Sequence, residues 1–172
     1  FIGSHVCERL AGQAEVVGID DLSTGNLANL DGIDVRLVEG SILDPDALAD
    51  ATAGVDAIVH LAARPSVPRS IADPVASHEA NTVGTLRVLE AARGAGIERV
   101  VFAASSAAYG ESEELPKVET FRTDPVSPYA SGKVAGEELM RVLGRCYGMQ
   151  TVCLRYFNVF GPRQDPNGAY AA

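Results

Sequence analysis

The feature that most constrains this chain is a rhythm. Short runs rich in β-branched residues, EVVGID, VRLVEG, DAIVHLA, RVVFAAS and TVCLRYF, recur along its 172 residues with longer amphipathic stretches between them. Short apolar runs of this kind read as strands buried on both faces of a parallel sheet. The intervening segments DPDALADATAG, DPVASHEANTVGTLRVLEAARGAG and SPYASGKVAGEELMRVLGRCYG place apolar residues three and four apart, the period of an amphipathic helix. Strand and helix in alternation predict an α/β fold, a parallel sheet covered by helices on both faces. Pro45 and Pro74 each follow an aspartate, as in a helix first turn with an Asp cap, and Gly94 and Gly148 read as helix stops.

No repeat, low-complexity tract or linker interrupts the pattern, so residues 1–172 read as one domain or part of one. The segment Gly110 to Pro128, GESEELPKVETFRTDPVSP, is charged and punctuated by proline, and predicts a long surface loop. Loops after strand ends are where α/β proteins place their sites. The net charge of −9 argues against nucleic acid or an anionic membrane surface as partner, since clustered Lys and Arg hold phosphates. No apolar run approaches the ~18 residues of a membrane span. Cys7, Cys146 and Cys153 form no paired framework, which points to a reducing compartment such as the cytoplasm and to core-filling thiols. His5, His60 and His78 share no ligand spacing, so no metal is expected.

Three constellations carry chemistry. The first is FIGSHVCERLAGQAEVVGID. A dinucleotide-binding unit runs from strand through glycine-rich turn and helix to a second strand that ends in an acidic residue. Here Gly3, the helix, the strand and Asp20 follow in that order, with the first strand and earlier glycines expected before Phe1. Asp20 at a strand end favours the free ribose hydroxyls of NAD over the 2′-phosphate of NADP. The second is SPYASGK, which puts Tyr129 and Lys133 four residues apart on one helical face. A tyrosine acting as base at neutral pH needs its pKa lowered from ~10 by about three units, roughly 4 kcal/mol, and a neighbouring ammonium acts in that direction. Lysine occurs only at 117 and 133. The third is VVFAASSAAYG, a buried strand that ends in Ser105 and Ser106, where a hydroxyl can bond a substrate oxygen beside the tyrosine.

Together with LRYFNVFGPRQDPNGAYAA, VPRSIADPVASHEANTVGT and LPKVE, these motifs resemble the extended short-chain dehydrogenase/reductase family, in its NAD-dependent epimerase/dehydratase branch. The resemblance covers essentially the whole chain. It implies a Rossmann-like doubly wound sheet that here lacks its first strand and the C-terminal substrate region, and a homodimer built on long helices, with Leu86 and Leu139 on candidate stripes. It implies NAD as cofactor and a UDP-sugar as substrate, with Tyr129 as catalytic base, Lys133 as its partner and nicotinamide-ribose ligand, and Ser105, with Ser106 as runner-up, bonding the reacting hydroxyl. Ile2, Gly3, Asp20, Asp21, Ser23, Thr24, Gly25, Ser41, Ile42, Leu61, Ala62 and Ala63 would line the cofactor, with Asn81 and Tyr156 near its nicotinamide half. Ser66 and Asn158 would touch the sugar nucleotide. Ser41 departs from the family pattern, which carries Asp toward the adenine, although a serine also bonds an amino group.

Within that branch, dehydratases and decarboxylases carry acidic residues just after the strand-end Ser or Thr. This chain has Ser106, Ala107 and Ala108, which favours epimerisation at C4 of a UDP-hexose. A dehydrogenase, reductase or dehydratase, and a non-catalytic cofactor binder, are the alternatives. The chain by itself is expected to be inactive or unstable, because the first strand of a doubly wound sheet lies at its middle.

Overall fold

The computed structural model describes residues 1–165. Five strands form as the apolar runs predict: β1 (Val17–Asp20), β2 (Arg36–Glu39), β3 (Ala57–His60), β4 (Arg99–Ser105) and β5 (Gln150–Tyr156). All pairings are parallel. The strands fall into two sheets, β1-β2 and β3-β4-β5. β1 and β3 therefore each pair on one side only among the described residues, and the division falls where a doubly wound order places its first strand.

The helices are α1 (Ile2–Ala11), α2 (Pro45–Thr52), α3 (Val67–Ala72), α4 (Pro74–His78), α5 (Gly84–Gly94) and α6 (Pro128–Tyr147). The aspartate caps form: Asp44 accepts from the Asp46 N–H, and Asp73 from that of Ala76. Gly148 ends α6 in the left-handed conformation, φ 71°. Gly94, read as a stop, is the last residue of α5, and the left-handed position falls two residues on, at Gly96.

α2, α5 and α6 pack side by side across both sheets. Ile42, Leu48 and Val88 form one buried cluster with Ile19 of β1 and Ile58 of β3 against it, which ties the two sheets together. A second cluster centres on Phe102, Leu89, Val100 and Met140. The opposite face is barer, with Val59, Val152 and Leu154 exposed. The cysteines depart from the core-filling expectation: Cys7 is half-buried, and Cys146 and Cys153 are exposed on the last helix and the edge strand β5. Among the described residues no helix is long and apolar enough to cross a membrane.

Candidate functional site

Because the strands are parallel, their C-terminal ends gather at one margin, and the predicted site residues follow them. At the end of β1, the Asp20 Oδ1 accepts the Leu22 N–H at 2.8 Å and folds DLSTG into a tight turn. Asp21 accepts from Ser23 through both its N–H and its hydroxyl. A Cβ on Gly25 would stand 3.0 Å from the Asp20 Oδ1 and 3.2 Å from Oδ2, so glycine keeps that carboxylate accessible. Thr24 lies exposed in the same turn. After β2, Ser41 caps its own turn by accepting the Leu43 N–H, and Ile42 turns into the core. Ile2 and Gly3 begin α1, and a Cβ on Gly3 would lie 3.7 Å from Leu61, so that helix start adjoins the segment Leu61, Ala62, Ala63 after β3.

Ser105 and Tyr156 are paired in register at the ends of β4 and β5. The Ser105 Oγ accepts the Ala107 N–H at 3.1 Å and caps the 3-10 turn Ser106–Tyr109, which leaves its own proton for an acceptor outside. Asn158 is exposed just beyond β5. Ser66 is buried and caps α3 by accepting the Arg69 N–H.

Helix α6 brings the Tyr-Lys pair to this margin. Ser127 caps it, and the Tyr129 N–H donates to the Ser70 hydroxyl at 3.1 Å. Lys133 is 3% exposed, and its Nζ donates to the Ala103 carbonyl at 2.8 Å, two residues before Ser105. The ammonium lies 4.8 Å from the centre of the Phe102 ring and 6.0 Å from that of Tyr129. Burial pushes its pKa down to about 8.

Two glycines allow this approach. A Cβ on Gly132 would meet the Asn81 Cβ at 3.2 Å, and one on Gly136 would meet the Phe102 ring at 2.6 Å. Asn81 sits in a π-turn, Glu79–Val83, that separates α4 from α5. Its amide is fully engaged inside the protein: Oδ1 accepts the Arg64 N–H, and Nδ2 donates to the Arg64 carbonyl and the Ser77 hydroxyl. Its side chain thus braces the loop after β3.

Sequence reasoning missed several parts of this arrangement. His60 is buried at the end of β3 and held neutral, pushed down to about 3 by burial first and then by the charge of Lys133. Its only sequence signal is an imidazole in an otherwise apolar strand. Behind the Ser105 turn, Arg155 makes a bidentate pair with Glu137 of α6 while the Tyr109 ring lies 4.7 Å from its guanidinium. Among the described residues no group of three or more His, Cys, Asp or Glu is arranged to hold a metal ion.

A parallel α/β sheet with an acidic strand end, a serine at a neighbouring strand end and a helix carrying Tyr129 and the buried Lys133 has the architecture of a Rossmann-like nucleotide-binding domain. The chain belongs to the NAD-dependent epimerase/dehydratase family, whose model matches residues 1–172. It is 41% identical to the UDP-glucose 4-epimerase of Mycolicibacterium smegmatis over 98% of the chain, and spans 56% of that protein. Its structure is similar to the UDP-N-acetylglucosamine 4-epimerase of Methanobrevibacter ruminantium, solved with UDP-N-acetylmuramic acid: TM-score 0.94, 39% identity, covering 100% of this chain and 56% of that one. It is similar also to a dTDP-glucose 4,6-dehydratase of Streptomyces venezuelae solved with NAD: TM-score 0.93, 38% identity, covering 99% and 57%. The chain thus spans about half the length of the relatives it matches.

Proposed function

We propose that the whole protein is an NAD-dependent 4-epimerase of UDP-hexoses, acting through a 4-keto sugar. The observation that carries the reading is Lys133, a buried ammonium placed between Tyr129 and the strand end that bears Ser105. The residues fit a bound NAD: Asp20 offers the ribose an exposed carboxylate whose Oδ2 has no donor among the described residues, and Gly25 leaves it uncovered. A bound NAD would supply there a reversible hydride acceptor for C4 of the sugar. Asp21, Ser23, Thr24, Ser41 and Ile42 would hold the adenosine part, Ile2, Gly3, Leu61, Ala62 and Ala63 would flank the middle, and Tyr156, with the loop that Asn81 braces, would hold the nicotinamide part.

In this reading the Tyr129 oxygen takes the C4 hydroxyl proton. The Lys133 charge stabilises the tyrosinate and so makes the phenol a usable base. Ser105, already accepting from Ala107, donates its hydroxyl proton to the sugar oxygen and holds it in line. Ser66, Ser106 and Asn158 complete the sugar-nucleotide side.

Epimerisation is favoured over dehydration by the turn after Ser105. Elimination needs an acid and a base beside C5 and C6, and Ser106, Ala107 and Ala108 supply no carboxylate. The exposed apolar residues Ile71, Val75, Leu86 and Val142, spread over α3 to α6, support a homodimer through these helices, while Leu139 packs against the core.

The test is to incubate the whole protein with UDP-galactose and UDP-N-acetylgalactosamine, with and without added NAD, beside a Tyr129→Phe variant. Interconversion that the variant lacks, without net NADH release, is the expected result. Accumulating NADH with no epimer would instead identify a dehydrogenase, and a 4-keto-6-deoxy product a dehydratase.

A further inference from the structure

An imidazole in a protein core is costly unless its nitrogens are occupied. His60, 3% exposed, places Nε2 at 2.9 Å from the Thr85 hydroxyl. Thr85 has one proton to give, and its oxygen lies 2.8 Å from the Asn81 carbonyl, which can only accept. The hydroxyl therefore accepts from His60, and the ring carries its proton on Nε2. Asn81 in turn brackets the Arg64 peptide with its side chain. A string of hydrogen bonds thus runs from the end of β3 through α5 and the π-turn to the loop after β3.

The other side of His60 leads to Lys133. The His60 and Phe102 rings lie 5.4 Å apart at a 33° tilt, and the Lys133 ammonium lies 4.8 Å from the centre of that same phenyl ring. Gly132, the neighbour of Lys133, packs on Asn81. The lysine is therefore flanked by two contacts, each of which traces back to His60. We propose that His60 is a positioning residue, which sets the place of the Lys133 ammonium, and through it the proton affinity of Tyr129, by way of Phe102 and the Thr85–Asn81 string. This rests on the reading of Tyr129 and Lys133 as the proton-transfer pair.

The surroundings fit the role. Burial keeps the imidazole neutral, so it adds no second cation beside Lys133. Glu137, one turn beyond Lys133, is tied to Arg155 of β5. The charged or titratable residues on the other helices packed against α6, Arg69, His78, Glu79, Arg87, Glu90 and Arg93, are exposed. On the strands and the 3-10 turn packed against α6, Arg99 and Cys153 are exposed, Arg155 and Tyr109 lie against each other, and Tyr156 ends β5 beside Ser105, while the Tyr129 ring lies 6.0 Å from the ammonium. A displaced ammonium stabilises the tyrosinate less, since the interaction falls with distance.

The test is a direct titration of Tyr129 in the whole protein, by near-ultraviolet tyrosinate absorbance with the Tyr129→Phe signal subtracted. His60→Leu is expected to raise the Tyr129 midpoint by about one pH unit. Thr85→Val should raise it in the same direction, and His60→Gln, whose amide can still donate to Thr85, should return the midpoint most of the way to that of the unaltered protein. Lost packing alone would lower the melting temperature without moving this midpoint. Should His60→Leu not fold, Thr85→Val carries the test. A midpoint unmoved in the folded variants overturns the inference whether or not any sugar is epimerised, so the two readings fail separately.

Discussion

Gly136 of α6 lies so close to Phe102 of β4 that a Cβ there would stand 2.6 Å from the ring's Cζ and 2.8 Å from Cε1. The same phenyl ring supports the Lys133 ammonium. Helix-to-strand distance and lysine placement are thus one structural quantity.

Gly136→Ala is therefore expected to destabilise by about 1–3 kcal/mol despite the better helix propensity of alanine, because a fully buried ring must shift. Gly84→Ala is the control. Its Cβ would meet the Ile42 Cδ1 at 2.5 Å, the movable end of an aliphatic chain, so its cost should be smaller. Denaturant titration of both variants checks the order; equal costs would mean that Phe102 yields as easily as Ile42.

Under the proposed function, the burial of Lys133 sets stability against catalysis. Its pKa is lowered to about 8 when folded, from 10.5, so between those values the unfolded chain binds more protons than the folded one. Stability from this group accordingly rises as pH climbs through that window, and the burial penalty is fully present below it. Lys133→Met should stabilise the fold at neutral pH by about 1–2 kcal/mol and flatten the dependence above pH 8, while abolishing turnover. Unfolding free energies measured near neutrality and near the upper end of the window decide it; a less stable variant at neutral pH would show that the bond to Ala103 outweighs desolvation.

The strands were legible because a parallel strand covered on both faces is a plain apolar run, and the caps because Asp44-Pro45 and Asp73-Pro74 carry their own geometry. What escaped was phase. The stretch 73–96 read as one helix, yet the Gly84 N–H reaches back five residues to the Glu79 carbonyl, which inserts the π-turn. No residue type marks such an insertion; the Asn81 bonds to Arg64, seventeen positions away in sequence, accompany it. Tyr129 and Lys133 could be singled out because their spacing is local, and Ser105 because it ends an apolar strand. His60 and the Glu137–Arg155 pair could not, because their partners meet only in three dimensions.

His60 also predicts an acid limb. Its pKa of about 3 in the fold, against 6.5 for the free side chain, means that the unfolded chain takes up a proton which the folded one refuses. Stability should fall as pH drops from about 6.5, before most carboxylates titrate. Melting temperatures of the unaltered protein and His60→Gln across this range give the check, with a shallower fall expected in the variant.

Asp20 closes its own turn and, under the proposed function, also selects the nucleotide, and a single substitution separates the two. Asp20→Asn keeps an oxygen to accept the Leu22 N–H, so the turn and the melting temperature should hold. It removes the charge that repels a 2′-phosphate, so the preference of the whole protein for NAD over NADP should shrink by about tenfold, roughly 1.4 kcal/mol. Dissociation constants for both nucleotides measure this; an unchanged ratio would place the discrimination elsewhere.

The pair behind the site gives the last prediction. Arg155 and Glu137 are 17% and 13% exposed, joined by bonds of 2.8 and 2.7 Å, and they tie β5 to the helix that carries Tyr129 and Lys133. Removing one partner leaves an uncompensated charge with Tyr109 against it, so Glu137→Ala should cost about 3 kcal/mol. Replacing both residues by leucine should cost less than the truncation, because two desolvated charges leave together. A double-mutant cycle read by denaturant unfolding isolates their coupling, expected near 2 kcal/mol. If the doubly apolar variant is the least stable of the set, the pair is a net source of stability rather than a strut whose value lies in holding α6 in register with β5.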